Sequence, residues 1–196
     1  MKSKALKIAG IVIVGIIAFV AIVGTFSSPK SHLERSIVIH AQPSAIFEQI
    51  NSFKNFHKWS PWMEQDPNTQ TTFEGPESGV GAKMSWTSEK LDNGSQWIIE
   101  SEVNKHLKTG MKLGMEGNYS SDIYLEPVEG GTKVTWTYDG DVSETGMATS
   151  LMGKIMGKFM DGFLGPDYER GLTKLKAVAE NEPPQISAPA DSTNKK

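Results

Sequence analysis

The stretch Phe53–Pro67, "FKNFHKWSPWMEQDP", is where the chain changes its period. Phe53, Phe56 and Trp59 recur at roughly helical spacing, and Pro61 ends that run because the residue before a proline is pushed out of the helical region. Two tryptophans then flank a serine and a proline at a helix exit. Such a turn either closes one end of a hydrophobic core or lines the mouth of a cavity.

Upstream, "HLERSIVIHA" has a β-branched centre that predicts a first strand, with Leu33, Ser36, Val38 and His40 out of phase with simple alternation. Pro43 fits the first turn of a short helix whose stripe is Ala45, Ile46 and Ile50. Downstream the period falls to about 2. "AKMSWTS" alternates Ala82, Met84 and Trp86 against polar residues, and "DNG" at Asp92–Gly94 marks a hairpin. "SQWIIESEV" sets Trp97, Ile99 and Val103 on one face, and "HLKTGMKLGM" sets Leu107, Met111, Leu113 and Met115 on one face. "NYSSDIYLEP" groups Tyr119, Ser121, Ile123 and Leu125, and "TKVTWTYDGDV" groups Val134, Trp136 and Tyr138. With "TQTTF" ahead of them these are six strands joined mostly by short polar turns, which requires an antiparallel meander.

After Ser143 the pattern is helical again. Leu151, Ile155, Phe159 and Phe163 form one stripe, Tyr168, Leu172, Leu175 and Val178 another, with a break or kink expected at Gly165–Pro166. Met147, Met152, Met156 and Met160 alternate there with Gly153, Gly157 and Gly162, and adaptable thioethers on a glycine-weakened helix suit a gate. Residues 182–196 are polar and proline-rich, which predicts a disordered tail.

The N-terminus bears on location. Lys2, Lys4 and Lys7 precede an uncharged run from Ile8 to Phe26, roughly 19 residues, long enough as a helix to span a bilayer. A cleaved signal peptide is the alternative, but the cleavage site near Thr25–Ser27 is weak. Residues 1–27 are therefore read as a single-pass transmembrane anchor in the inner (cytoplasmic) membrane. By the positive-inside rule its N-terminus is cytoplasmic, so the domain, residues 28–181, is extracytoplasmic or periplasmic.

Composition excludes several functions. A formal charge of -3 without a basic cluster beyond the N-terminus argues against nucleic acid as a partner. The lack of cysteine removes disulfides, thiolate metal sites and a cysteine nucleophile. His32, His40, His57 and His106 are scattered without metal-ligand spacing, and neither Ser78 nor Ser95 sits in a nucleophile elbow, so no metal, cofactor or catalytic set is expected. Ser101, Thr109, Ser121 and Tyr138 are the inward hydroxyls. Glu116 and Asp122 are acids of interest only if turned inward, and alternation places Asp122 outside.

The segments "NSFKNFHKWSPWMEQDPN", "FEGPESGVGAKMSW", "YLEPVEGGTKVTW" and "FLGPDYERGLTKLKAVAE" resemble bacterial polyketide cyclase/dehydrase-type proteins of the START and Bet v 1-like (SRPBCC) superfamily, over about residues 33–181. The resemblance implies an α+β helix-grip fold: strand, two short helices, six-stranded antiparallel meander and a long C-terminal helix with an apolar cavity beneath it. The residues then expected to line that cavity are Trp62, Met84, Trp86, Trp97, Ile99, Met111, Leu113, Tyr119, Ile123 and Trp136. Met152, Met156, Phe159, Met160 and Phe163 join them on a flap or lid. The expected function is binding of a hydrophobic small molecule or lipid by a membrane-tethered domain. The alternatives are a cyclase/dehydratase-type enzyme and a co-chaperone-like interaction module.

Overall fold

The computed structural model describes residues 26–181 and, ahead of them, residues 10–12, 14, 15, 18, 19, 22 and 24. Strand β1 (Lys30–Ile39) is followed by helices α1 (Pro43–Ile50) and α2 (Phe53–Trp59). Then come β2 (Gln70–Glu74), β3 (Lys83–Thr87), β4 (Gly94–Glu102), β5 (His106–Lys112), β6 (Asn118–Val128) and β7 (Gly131–Asp141). Helices α3 (Met147–Gly157) and α4 (Met160–Asn181) end the fold. The strands form one antiparallel sheet in the order β1-β7-β6-β5-β4-β3-β2. The six-strand meander is thus present, and β1 returns to pair with β7.

One face of the sheet is apolar and α4 lies across it. Cross-strand pairs Leu33↔Tyr138, Ile123↔Trp136 and Leu125↔Val134 build that face, and all six residues are buried. Tyr168, Leu172 and Leu175 of α4 are buried against it as their stripe predicts. Fully burying one such side chain stabilises by roughly 1.5–3 kcal/mol, so these contacts are a large part of what holds α4 on the sheet.

The first strand is present, and the structure supplies the phase that its sequence left open. Leu33, Arg35, Ile37 and Ile39 pair with the inward residues Tyr138, Trp136, Val134 and Thr132. Arg35 is the reason the phase was open: an inward arginine hides the alternation. Its guanidinium reaches across the β1 edge to Asp161 (Nη1 at 2.9 Å) and Glu169 (Nε at 2.8 Å) on α4.

The break expected at Gly165–Pro166 is corrected. The interruption falls at Lys158–Phe159, and α4 runs through Pro166. Proline removes one intrahelical hydrogen bond, but Asp161 and Glu169 stand on either side of it and Arg35 holds both. Gly165 permits this clamp, since its missing Cβ would collide with the Arg35 guanidinium. Gly153 is similarly closed off by Val142, whereas nothing lies within 4 Å of a Cβ at Gly162. Gly162→Ala is therefore expected to stabilise the protein by about 0.5–1 kcal/mol. Gly165→Ala should lower the denaturant midpoint by displacing Arg35. Paired chemical denaturation of the two variants checks both signs.

The expected span Ile8–Phe26 lies largely outside the described residues; those described between Gly10 and Gly24 have helical backbone. Among the described residues no helix is long and apolar enough to cross a membrane. The tail 182–196 also lies outside the described residues.

Candidate functional site

A cavity of about 340 Å³ opens between the meander and the first turns of α4. Its floor comes from the inward faces of β3 and β5 (Met84, Trp86, Met111), its ceiling from Phe163, Leu164 and Tyr168. Phe56, Trp62 and Met63 close one side and Leu91 and Leu113 the other. The turn after α2 serves both purposes posed by its sequence. Trp59 is 1% exposed, edge-on to Trp136 at 5.3 Å, with its indole N–H donating to the Gln49 carbonyl at 3.1 Å. Pro61 packs on Gly171 of α4, and the chain then turns Trp62 against Phe56, Trp136 and Tyr168 along the cavity wall.

Of the residues read as lining, Trp62, Met84, Trp86, Met111, Leu113 and Phe163 border this space. Tyr119, Ile123 and Trp136 are buried on the same sheet face but lie outside this space. Ile123 and Trp136 adjoin a void of only about 20 Å³, room for about one water. Trp136 stacks on Tyr168 at 4.0 Å and is tied through its indole N–H to Ser121 Oγ at 2.7 Å, and Ser121 donates onward to the Thr137 carbonyl at 2.7 Å.

Trp97 and Ile99 are corrected: they face the outside of the sheet, and Gln96 and Ile98 face in. The run "WII" left the phase open, and a bulge between Ile98 and Glu100 restores the inward face at Ser101. Trp97 covers Gly110 so closely that a Cβ there would meet the indole at 2.7 Å. Met152, Met156 and Phe159 are also corrected: they are exposed and line no part of the cavity, while Met160 is half-buried against the core. It is Gly153 of α3 that packs on the core, against Val142.

Gln65, Leu91, Gln96, Leu164 and Asp167 line the cavity without having been singled out in the sequence. Leu91 was the legible one, an apolar residue inside an otherwise polar turn. The polar groups are few and mostly engaged. Gln96 donates to Thr109 Oγ1 at 2.8 Å, and Asp167 accepts from Gln65 at 3.3 Å and pairs with Arg170. Burial pushes the Tyr138 phenol up to about 12 and Tyr168 higher still, so both stay neutral hydroxyls. Ser60 is fully buried in the wall, with its hydroxyl oxygen unpartnered.

The remaining titratable clusters lie elsewhere. Asp122 is on the outer face as alternation placed it, pairing with His106 at 2.7 Å and Lys108 at 3.2 Å. Among the described residues no group of side chains could hold a metal ion. His57 packs against Phe73, and burial pushes its pKa down. Between that lowered value and about 6.5 the unfolded chain takes up a proton that the folded chain refuses. This contribution is complete above about 6.5 and is lost as pH falls through that window. Urea midpoints measured from pH 7 to pH 5 should therefore decline, and His57→Gln should flatten the decline.

A family profile described as polyketide cyclase / dehydrase and lipid transport matches residues 30–180. No curated protein sequence matches the chain significantly. The structure is similar to a protein of unknown function from Staphylococcus aureus (TM-score 0.58, 14% identity, covering 77% of this chain and 94% of that one). It is also similar to the di-domain ARO/CYC StfQ from the steffimycin biosynthetic pathway (TM-score 0.57, 10% identity, 77% of this chain), of which it spans only 51%. A third likeness is to Ara h 8.0201 (TM-score 0.51, 10% identity, 78% and 99% covered). Such identities show the fold alone, whereas the profile covers most of the chain. This chain belongs to the polyketide cyclase / dehydrase and lipid transport family.

Proposed function

We propose that this protein is a membrane-tethered binding domain that takes a hydrophobic small molecule or a single lipid chain into the cavity between the meander and α4. The observation that carries it is unfilled apolar space of about 340 Å³, within the range of small-molecule pockets. At about 30 Å³ per water-sized group this volume takes roughly a dozen methylenes, too few for a two-chain lipid. Gln65, Gln96 and Asp167 are the polar side chains of the lining that a single ligand oxygen can meet. The tether is the apolar run Ile8–Phe26, with Lys2, Lys4 and Lys7 on the cytoplasmic side and the domain outside the inner membrane.

The full chain in lipid nanodiscs, titrated with N-phenyl-1-naphthylamine, tests the ligand reading through energy transfer from Trp62 and Trp86. Saturable transfer, displaced by dodecanol more readily than by dodecane, is the expected result. Transfer no greater than that of empty nanodiscs overturns it. A second reading, a cyclase/dehydratase-type enzyme, is favoured by Asp167, the one carboxylate among the lining residues. On that reading Asp167→Asn retains probe binding and loses turnover.

A further inference from the structure

We infer that the exposed face of α3 and the start of α4 rests on an anionic bilayer surface, so that the cavity mouth faces the membrane; this builds on the tethered reading. Met152, Met156, Phe159 and Phe163, spaced by four, three and four residues, are 56%, 37%, 60% and 65% exposed. Met152 and Met156 lie on α3, Phe159 in the turn that follows and Phe163 in the first turn of α4, while Gly153 and Gly157 of α3 pack on Val142 and Ser31. A contiguous apolar stripe of large side chains in water marks an interaction surface.

Three observations point to a bilayer as its occupant. The Leu151 side chain lies against Gly24, so α3 abuts the apolar N-terminal run. Phe19 and Phe26 of that run are themselves 67% and 84% exposed, so the run presents large apolar side chains of its own. From Met147 to Phe159 the only charges are Lys154 and Lys158, and the next acid, Asp161, shares Arg35 with Glu169. An apolar stripe on a helix whose only charges are basic is the pattern of one lying in the headgroup layer, with long lysine stems reaching phosphates. Phe163 belongs to both the stripe and the cavity lining, which sets the mouth at the membrane. An apolar ligand then passes between lipid and cavity without crossing water.

The chain has no cysteine, so single probes are unambiguous. Full chain carrying Met152→Cys, Phe159→Cys or Val128→Cys, labelled with an environment-sensitive dye, is reconstituted into phosphatidylcholine–phosphatidylglycerol vesicles and floated. Val128 is also exposed but lies at the opposite end of the β6–β7 hairpin from α3. Dye at 152 and 159 should shift to the blue and be quenched by nitroxide-bearing lipid, while dye at 128 should not. Lys158→Ala should lower the docked-to-undocked ratio roughly five-fold on these vesicles and leave it unchanged on pure phosphatidylcholine. Floated chain with a water-like signal at 152 and 159 overturns the inference and leaves the tether standing. Chain that fails to float overturns both. Probe transfer in the cavity reports separately on the ligand reading.

Discussion

Trp136→Ala is expected to destabilise the protein by about 3–5 kcal/mol, the range for deleting a buried indole. For a domain of this size that lowers the melting temperature by roughly 6–20 °C. The side chain is 4% exposed and touches every layer of the fold. It stacks on Tyr168 of α4, meets Trp59 and Trp62 edge-on, and pairs across the sheet with Ile123 and Arg35. Gly171 on α4 lies so close that a Cβ there would sit 2.7 Å from the indole, so α4 cannot simply slide inward to fill the hole. Truncation also leaves Ser121 Oγ without the indole donor at 2.7 Å, a further cost for a buried polar atom. Trp136→Phe separates the two effects: it keeps an aromatic ring against Tyr168 and loses only the hydrogen bond and the second ring. Calorimetry on both variants should rank them wild type, then phenylalanine, then alanine. An alanine variant within about 1 kcal/mol of wild type would mean that the sheet and α4 are held together by something else.

The contrast between Trp136 and Trp97 explains how far a sequence of this kind can be read. In β7 the tryptophan stands in clean alternation with Val134 and Tyr138, and all three face inward. In β4 three apolar residues follow one another, a bulge shifts the register, and the inward position is taken by a glutamine. Period alone fixes a strand there but not its face. The meander, the helix exit at Pro61 and the α4 stripe were legible because each rests on local pattern or turn chemistry. Three features were not, because each depends on contacts far apart in sequence. Arg35 points inward only because Asp161 and Glu169 await it on α4. Pro166 stays helical for the same reason. The Met152, Met156 and Phe159 face looks like core by spacing, yet the glycine side of α3 is the one that fits against Val142 and Ser31. The cavity itself followed the same division: the lining from β3 and β5 was legible, and the contributions of Gln65, Leu91, Leu164 and Asp167 come from loops and helix turns that only the tertiary fold brings together.

Met111→Trp should weaken ligand uptake by at least about tenfold while leaving the fold intact. Met111 is half-buried on the inward face of β5, opposite Gln96, and its thioether forms part of the cavity floor. An indole there projects into open volume rather than into packed neighbours, so it fills space that a ligand needs without the strain of overpacking a solid core. With room for only about a dozen methylene-sized groups to begin with, losing several is decisive. The apparent affinity for the naphthylamine probe is expected to fall by at least about tenfold, about 1.4 kcal/mol. The melting temperature should hold or rise slightly as the void closes. Trp97→Ala is the matching control, since its indole lies on the outer face over Gly110; it should cost stability and leave probe affinity unchanged. The opposite pattern, with Met111→Trp binding normally and Trp97→Ala binding weakly, would move the ligand to the outer groove formed by Trp97, Ile99 and Met115. Equal binding by both variants would leave no role for either surface. Because the two tryptophan positions lie on opposite faces of one sheet, the pair of measurements tells which side of the β-layer holds the guest.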